Sequence, residues 1–192
     1  MPGAGKSTVA ASLIEKGFSV ITMGDVIREE ANRQNLEPTD ANLGSLMLKL
    51  RKDLGPGAIA HLILRKVKDR SDNESDNLVI DGIRSIPEVE VLKAAGHVKL
   101  LAIHASTNTR FGHLKERIRH DAPSTIDDFV RRDKRELAVG ISEAIALADE
   151  TLSNNNLTIK GLKEKAFETV QKWVKEIKDN SRIRKNVRGN NL

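Results

Sequence analysis

The opening residues Met1-Pro2-Gly3-Ala4-Gly5-Lys6-Ser7-Thr8 put a lysine and two hydroxyls directly behind a run of small residues. That spacing suits phosphate chemistry. Small residues let backbone N–H groups curl round a phosphate chain, Lys6 can reach the β- and γ-phosphates, and Ser7 can place a hydroxyl on Mg²⁺. Gly5, Lys6 and Ser7 fill the last three places of the phosphate-binding pattern G-x-x-x-x-G-K-[ST], and Met1 to Ala4 fill the variable ones. The pattern's first glycine would therefore sit just ahead of Met1. A helix starting here adds the positive end of its dipole.

Phosphoryl transfer also needs cations round the moving group and a carboxylate near the metal. Three stretches supply them. Gly24-Asp25-Val26-Ile27-Arg28 offers Arg28 just after a strand, and Asp81-Gly82-Ile83-Arg84 offers a carboxylate with an arginine three residues on. Arg110, Arg117, Arg119, Arg131 and Arg132 surround a break at Pro123. An acceptor phosphate, with a second pKa of about 6, is already ionised and needs no general base. A hydroxyl acceptor would need one, and Asp25 is the candidate. Taken singly, Arg28 or Arg84 is ordinarily a surface ion-pair partner, and charge runs such as Arg117/Arg119 are ordinarily solvated. The order of the motifs gives them their meaning. The five histidines show no metal-ligand spacing.

The elements that must position these groups alternate in type. Val9, Leu13 and Ile14 predict a helix over 7–16, stopped by Gly17. Strands are expected at 18–22, 78–80, 98–104 and 150–152. Helices are expected at 26–33, 43–54, 58–67, from Ser85-Ile86-Pro87-Glu88 to 95, at 109–119, 125–149 and 161–177. Ser85 and Glu88 have capping-box spacing. The strand cores are almost wholly apolar, which predicts a parallel sheet buried on both faces in an α/β sandwich.

With 192 residues, 39% hydrophobic and 31% charged, the chain suits one soluble globular domain. No apolar run approaches the ~18 residues of a membrane span, and no signal-peptide pattern opens the chain. Cysteine is absent, which removes disulfides and cysteine zinc sites and fits a reducing, cytoplasmic setting. The net charge of +5 is concentrated at the end: from Lys175 onward the balance is +4, leaving +1 for the rest. Such a tail is ordinarily a solvated, frayed terminus, with nucleic-acid contact as its functional alternative.

The order G-K-S-T, M-G-D-V-I-R, D-G-I-R-S and then an arginine-rich lid resembles the nucleoside monophosphate kinase group, whose members carry T-G-D-x-x-R and D-G-F-P-R motifs. It is most similar to an archaeal P-loop kinase family of uncertain substrate, related to adenylate and dephospho-CoA kinases. That family's D-G-I-R-S and R-R-D-x-R-E segments look like Asp81 to Ser85 and Arg131 to Glu136. The resemblance runs from Met1 to about Lys178. It implies a three-layer P-loop NTPase sandwich (residues 1–178), with acceptor-binding helices inserted at about 25–67, a short lid at about 110–132 and a basic flexible tail at 179–192. It further implies that Gly3, Ala4, Gly5, Lys6, Ser7 and Thr8 cradle ATP and that Arg110 packs on the adenine. Asp25, Arg28 and Arg84 would hold the acceptor. Asp81 would bind water on the Mg²⁺ carried by Ser7, and Lys6, Asp81, Arg117, Arg119 and Arg132 would serve catalysis or the lid. Ile83-Arg84 shortens the D-G-F-P-R spacing by one residue, so acceptor geometry should differ from that of adenylate kinase.

Three functions follow as expectations: transfer of the ATP γ-phosphate to a nucleotide-like phosphate acceptor; transfer to a hydroxyl of a cofactor precursor such as dephospho-CoA; or nucleotide-driven accessory work on RNA or the ribosome, which only the basic tail supports. In this fold group a strand leads into the loop at the middle of the sheet. The first strand therefore looks missing, and an apolar strand of about five or six residues is expected upstream of Met1.

Overall fold

Glycines set the boundaries that place the loop. Gly5, at φ 105°, ends the loop and stands as N-cap of α1 (Lys6–Ile14), and Gly17, at φ 84°, turns the chain into β1 (Ser19–Thr22). In the computed structural model, residues 1–69, 77–116 and 125–189 are described, with side chains up to 179. The chain continues as α2 (Met23–Arg33), α3 (Asp40–Leu54), α4 (Ala58–Lys68), β2 (Leu78–Asp81), α5 (Ile86–Lys93) and β3 (Leu101–His104). Then follow α6 (Thr107–Lys115), α7 (Ile126–Val139), α8 (Ile141–Ala146), β4 (Glu150–Ser153) and α9 (Ile159–Gly189).

The α/β alternation is as expected and the strands are parallel, but they form two pairs instead of one sheet. Strand β1 pairs with β2, from Ser19 opposite Leu78 to Thr22 opposite Asp81. Strand β3 pairs with β4, from Leu101 opposite Glu150 to His104 opposite Ser153. Each pair has its own core. Ile21, Met23, Ile27, Met47, Ile59 and Ile63 gather round the first. Val9, Leu13, Ile103, Leu162 and Ala166 gather round the second. Between β2 and β3 lies an apolar groove of about 310 Å³, lined by Val79, Ile80, Leu101 and Ile103, with α1, α8 and α9 contributing Leu13, Ile145 and Val170.

Several local expectations are corrected. The helix expected over 125–149 divides at Gly140, whose φ of 106° closes α7 and caps α8. Thr125 and Asp128 form the capping box that starts α7. The box expected at Ser85 does not form, because Glu88 turns instead to the Arg84 amide and to Arg51. The last helix does not stop at 177: α9 continues to Gly189, so most of the expected tail is helical. Among the described residues, no helix is long and apolar enough to cross a membrane.

Candidate functional site

The phosphate loop is held through its own carbonyls. Arg110 Nη1 donates to Pro2 O (3.2 Å), His113 Nδ1 lies 2.9 Å from Gly3 O, and Asn154 Nδ2 donates to Ala4 O (3.0 Å). These contacts leave no room for side chains. A Cβ on Gly3 would lie 2.5 Å from Arg110 O, and one on Gly5 would lie 2.7 Å from Asn154 Nδ2. Both glycines have positive φ, a region that costs other residues strain. Lys6 Nζ donates to Met1 O at 2.8 Å. Burial lowers its pKa, and the nearby Asp81 carboxylate partly opposes that.

Lys6 looks into a cavity of about 470 Å³ at the carboxyl ends of β1 and β2, where ligands of parallel sheets ordinarily sit. Gly3, Gly5, Lys6, Ser7, Thr8, Arg28, Asp81, Arg84 and Arg132 all line it. Residues spread over 130 positions of the sequence thus meet in one place.

Three expected residues do not line the cavity. Ala4 is fully buried and contributes only backbone. Arg110, expected on the adenine, faces inward: it forms two hydrogen bonds with Asp133 (2.8 and 2.5 Å) and lies 4.9 Å from the centre of the Phe129 ring. Asp25 is exposed on α2 and accepts a 2.7 Å hydrogen bond from Arg28. Arg117 and Arg119 lie outside the described residues.

Arg84 and Arg132 of the cavity face carboxylates far from them in the sequence or on the next helical turn. Arg84 Nε donates to Glu136 (2.6 Å), its Nη1 to Gly82 O (3.3 Å) and its amide to Glu88 (2.8 Å). Glu136 is 3% exposed and lines the same cavity. Burial favours its neutral form, yet Arg84, Lys6 and Arg132 outweigh that and hold it below the usual carboxylate range. Glu88 in turn pairs with Arg51 of α3. On α7, Arg132 and Glu136 are four residues apart and Arg132 and Arg135 three, so all share one side of the helix. Asp40, at the start of α3, accepts from Arg135 Nη2 (2.8 Å) and lies 3.6 Å from Arg132 Nε.

The donor set fits magnesium better than a transition metal. Among the described residues no three His, Cys, Asp or Glu side chains cluster as a metal cage. Ser7 and Asp81 line the cavity beside Lys6, and Mg²⁺ prefers few protein oxygens plus phosphates and retained waters. Ser7 would hold the ion and Asp81 would bind its water. There the ion would neutralise phosphate charge.

A glycine-held loop running into α1, above the ends of parallel strands, defines a nucleotide-binding P-loop domain. In agreement, the family model described as "AAA domain" matches residues 1–130. Closely similar proteins cover nearly the whole chain. The UPF0200 protein TK1334 of Thermococcus kodakarensis is 39% identical over 180 residues, covering 92% of this chain and 94% of that protein. The UPF0200 protein PYRAB09750 of Pyrococcus abyssi is 41% identical over 159 residues, 81% and 84% of the two chains. The UPF0200 protein Mbar_A0975 of Methanosarcina barkeri is 36% identical over 179 residues, 92% and 94%. The chain belongs to this archaeal UPF0200 family of P-loop kinase-like proteins, whose names specify no substrate.

Proposed function

We propose that the chain is an ATP- and Mg²⁺-dependent phosphotransferase that moves the γ-phosphate of ATP to a phosphate group on a nucleotide-like small molecule. The observation that carries this is the convergence of Lys6, Ser7, Asp81, Arg28, Arg84 and Arg132 on one cavity. In-line transfer asks a protein mainly for positioning and charge neutralisation, and this set offers both. A phosphate acceptor is favoured over a hydroxyl because Asp25 is exposed, paired with Arg28 and absent from the cavity lining. Of the carboxylates that do line it, Glu136 is bonded to Arg84, Asp81 stands beside Lys6, and Glu116 is exposed at the end of α6.

The same reading takes the β1–β2 and β3–β4 pairs as parts of one three-layer sandwich, with the apolar groove between β2 and β3 at its centre.

The test of function is a panel of nucleoside monophosphates and dephospho-CoA with ATP and Mg²⁺. Transfer to a monophosphate that vanishes in Lys6→Ala is expected. Transfer that survives Lys6→Ala would end the proposal.

A further inference from the structure

Helix α3 is fastened at its two ends in different ways. Near its C-terminal end Arg51 pairs with Glu88 of α5, and both side chains are buried. At its N-terminal end Asp40 reaches across to α7, and this pair is half exposed. Asp40 accepts both its short contacts from one nitrogen, Arg135 Nη2, at 2.8 Å to each oxygen. Gly44, one turn on, makes room for that arginine: a Cβ there would lie 2.8–2.9 Å from three guanidinium atoms. A small cavity of about 70 Å³ beneath α3 is lined by Asp40, Gly44 and Arg135, and shares Arg28, Arg84 and Arg132 with the larger one.

We propose that Asp40 is a positioning residue that ties the helical cover formed by α2 and α3 to Arg132 of the reaction cavity. The proposal rests on the phosphotransferase reading, and it adds a link between acceptor binding and catalysis. A guanidinium on a long, flexible stem is useful to a transition state only if something fixes it. The Asp40 carboxylate is placed to do so from outside the larger cavity, on the helix that covers the smaller one. Its 3.6 Å separation from Arg132 Nε is longer than a hydrogen bond. A shift of α3 toward α7 by less than about 1 Å would bring the pair into hydrogen-bond range. With its far end held by the buried Arg51–Glu88 pair, α3 can swing at the Asp40 end. Acceptor binding under α3 would thereby aim Arg132.

Steady-state kinetics and hydrogen exchange on the full chain and on Asp40→Asn, Asp40→Glu and Gly44→Ala test this. Asp40→Asn is expected to lower kcat by about 10- to 100-fold, the cost of a small misplacement, while KM for ATP stays within about threefold. Asp40→Glu should recover part of the loss. Gly44→Ala favours the helix intrinsically but pushes Arg135 aside, so it should lose about three- to tenfold in kcat. Amide exchange over 41–47 should quicken in Asp40→Asn. A kcat within twofold of the wild type, or a loss shared equally by kcat and ATP affinity with no recovery in Asp40→Glu, would overturn the proposal. If the wild-type chain transfers phosphate to nothing, the phosphotransferase reading falls by itself. Exchange over 41–47 that is equal in wild type and Asp40→Asn would separately overturn the tie between the helices.

Discussion

Two sides of one cavity are held in place by different physics. On the nucleotide side the loop is fixed by backbone: positive-φ glycines, and carbonyls bonded by Arg110, His113 and Asn154. On the side proposed for the acceptor the charged groups are arginines paired with carboxylates: Arg84 with Glu136, Arg135 with Asp40, and Arg132 at 3.6 Å from the same Asp40. Steric fixing has no intermediate setting, because a methyl group either fits or does not. Ion pairs are graded, shift with pH and can exchange one partner for another. On the proposed reading, the molecule holds rigidly the loop meant for nucleotide phosphates and holds adjustably the side that would admit, clamp and release an acceptor.

The largest expected effect breaks the nucleotide side. Lys6→Ala should lower turnover by at least about 10²- to 10³-fold, as loss of a charged transition-state donor does, with little change in melting temperature. Next comes the buried carboxylate. Glu136→Ala would strand Arg84 beside the cavity, and removing one partner of a buried pair costs about 3–5 kcal/mol, readable by urea unfolding. The sign of its pH dependence is fixed by the depressed pKa of Glu136. Its contribution is fully present above the unfolded carboxylate range and is lost as pH falls through the lower folded value. In Glu136→Gln the acid limb of the stability curve should therefore flatten; an unchanged limb would show that other carboxylates dominate it. Gly5→Ala should follow, at about 1–3 kcal/mol for a non-glycine residue held at positive φ, with ATP affinity falling alongside. Should Gly5→Ala bind ATP as the wild type does, the loop is more adjustable than its packing implies, and the contrast between the two sides weakens.

That contrast also explains what the sequence disclosed. The loop was legible because its geometry is local: Gly3, Gly5, Lys6 and Ser7 are neighbours, and residue type sets their backbone. Strand and helix order was legible for the same reason, from short apolar runs and nearby glycines. Pairing was not. Arg84 meets Glu136 across 52 positions and Arg135 meets Asp40 across 95, and nothing in a helical charge run says which member is buried. The resemblance puts Arg110 on the adenine, whereas Asp133 and Phe129 take its guanidinium inward. Nothing near Asn154 in the sequence points to its role, because its partner, the Ala4 carbonyl, is 150 positions away. Ser85 lost its expected cap because a distant arginine, Arg51, competes for Glu88.

The smallest expected effect discriminates most between acceptors. Asp25 is 61% exposed and pairs with Arg28 three residues on along α2, an arrangement worth about 0.2–0.5 kcal/mol. Asp25→Asn should therefore leave stability almost untouched. With a phosphate acceptor it frees Arg28 from a competing carboxylate but also from its anchor, so turnover should change by less than about threefold. With a hydroxyl acceptor Asp25 would have to swing from Arg28 into the cavity and take the proton. Asp25→Asn would then remove the general base and cost about 10²- to 10⁴-fold. Measuring Asp25→Asn on whichever acceptor the wild type prefers decides the matter: a near-silent mutation keeps the acceptor side a set of arginines aimed at phosphate, and a large loss makes it a site for deprotonation.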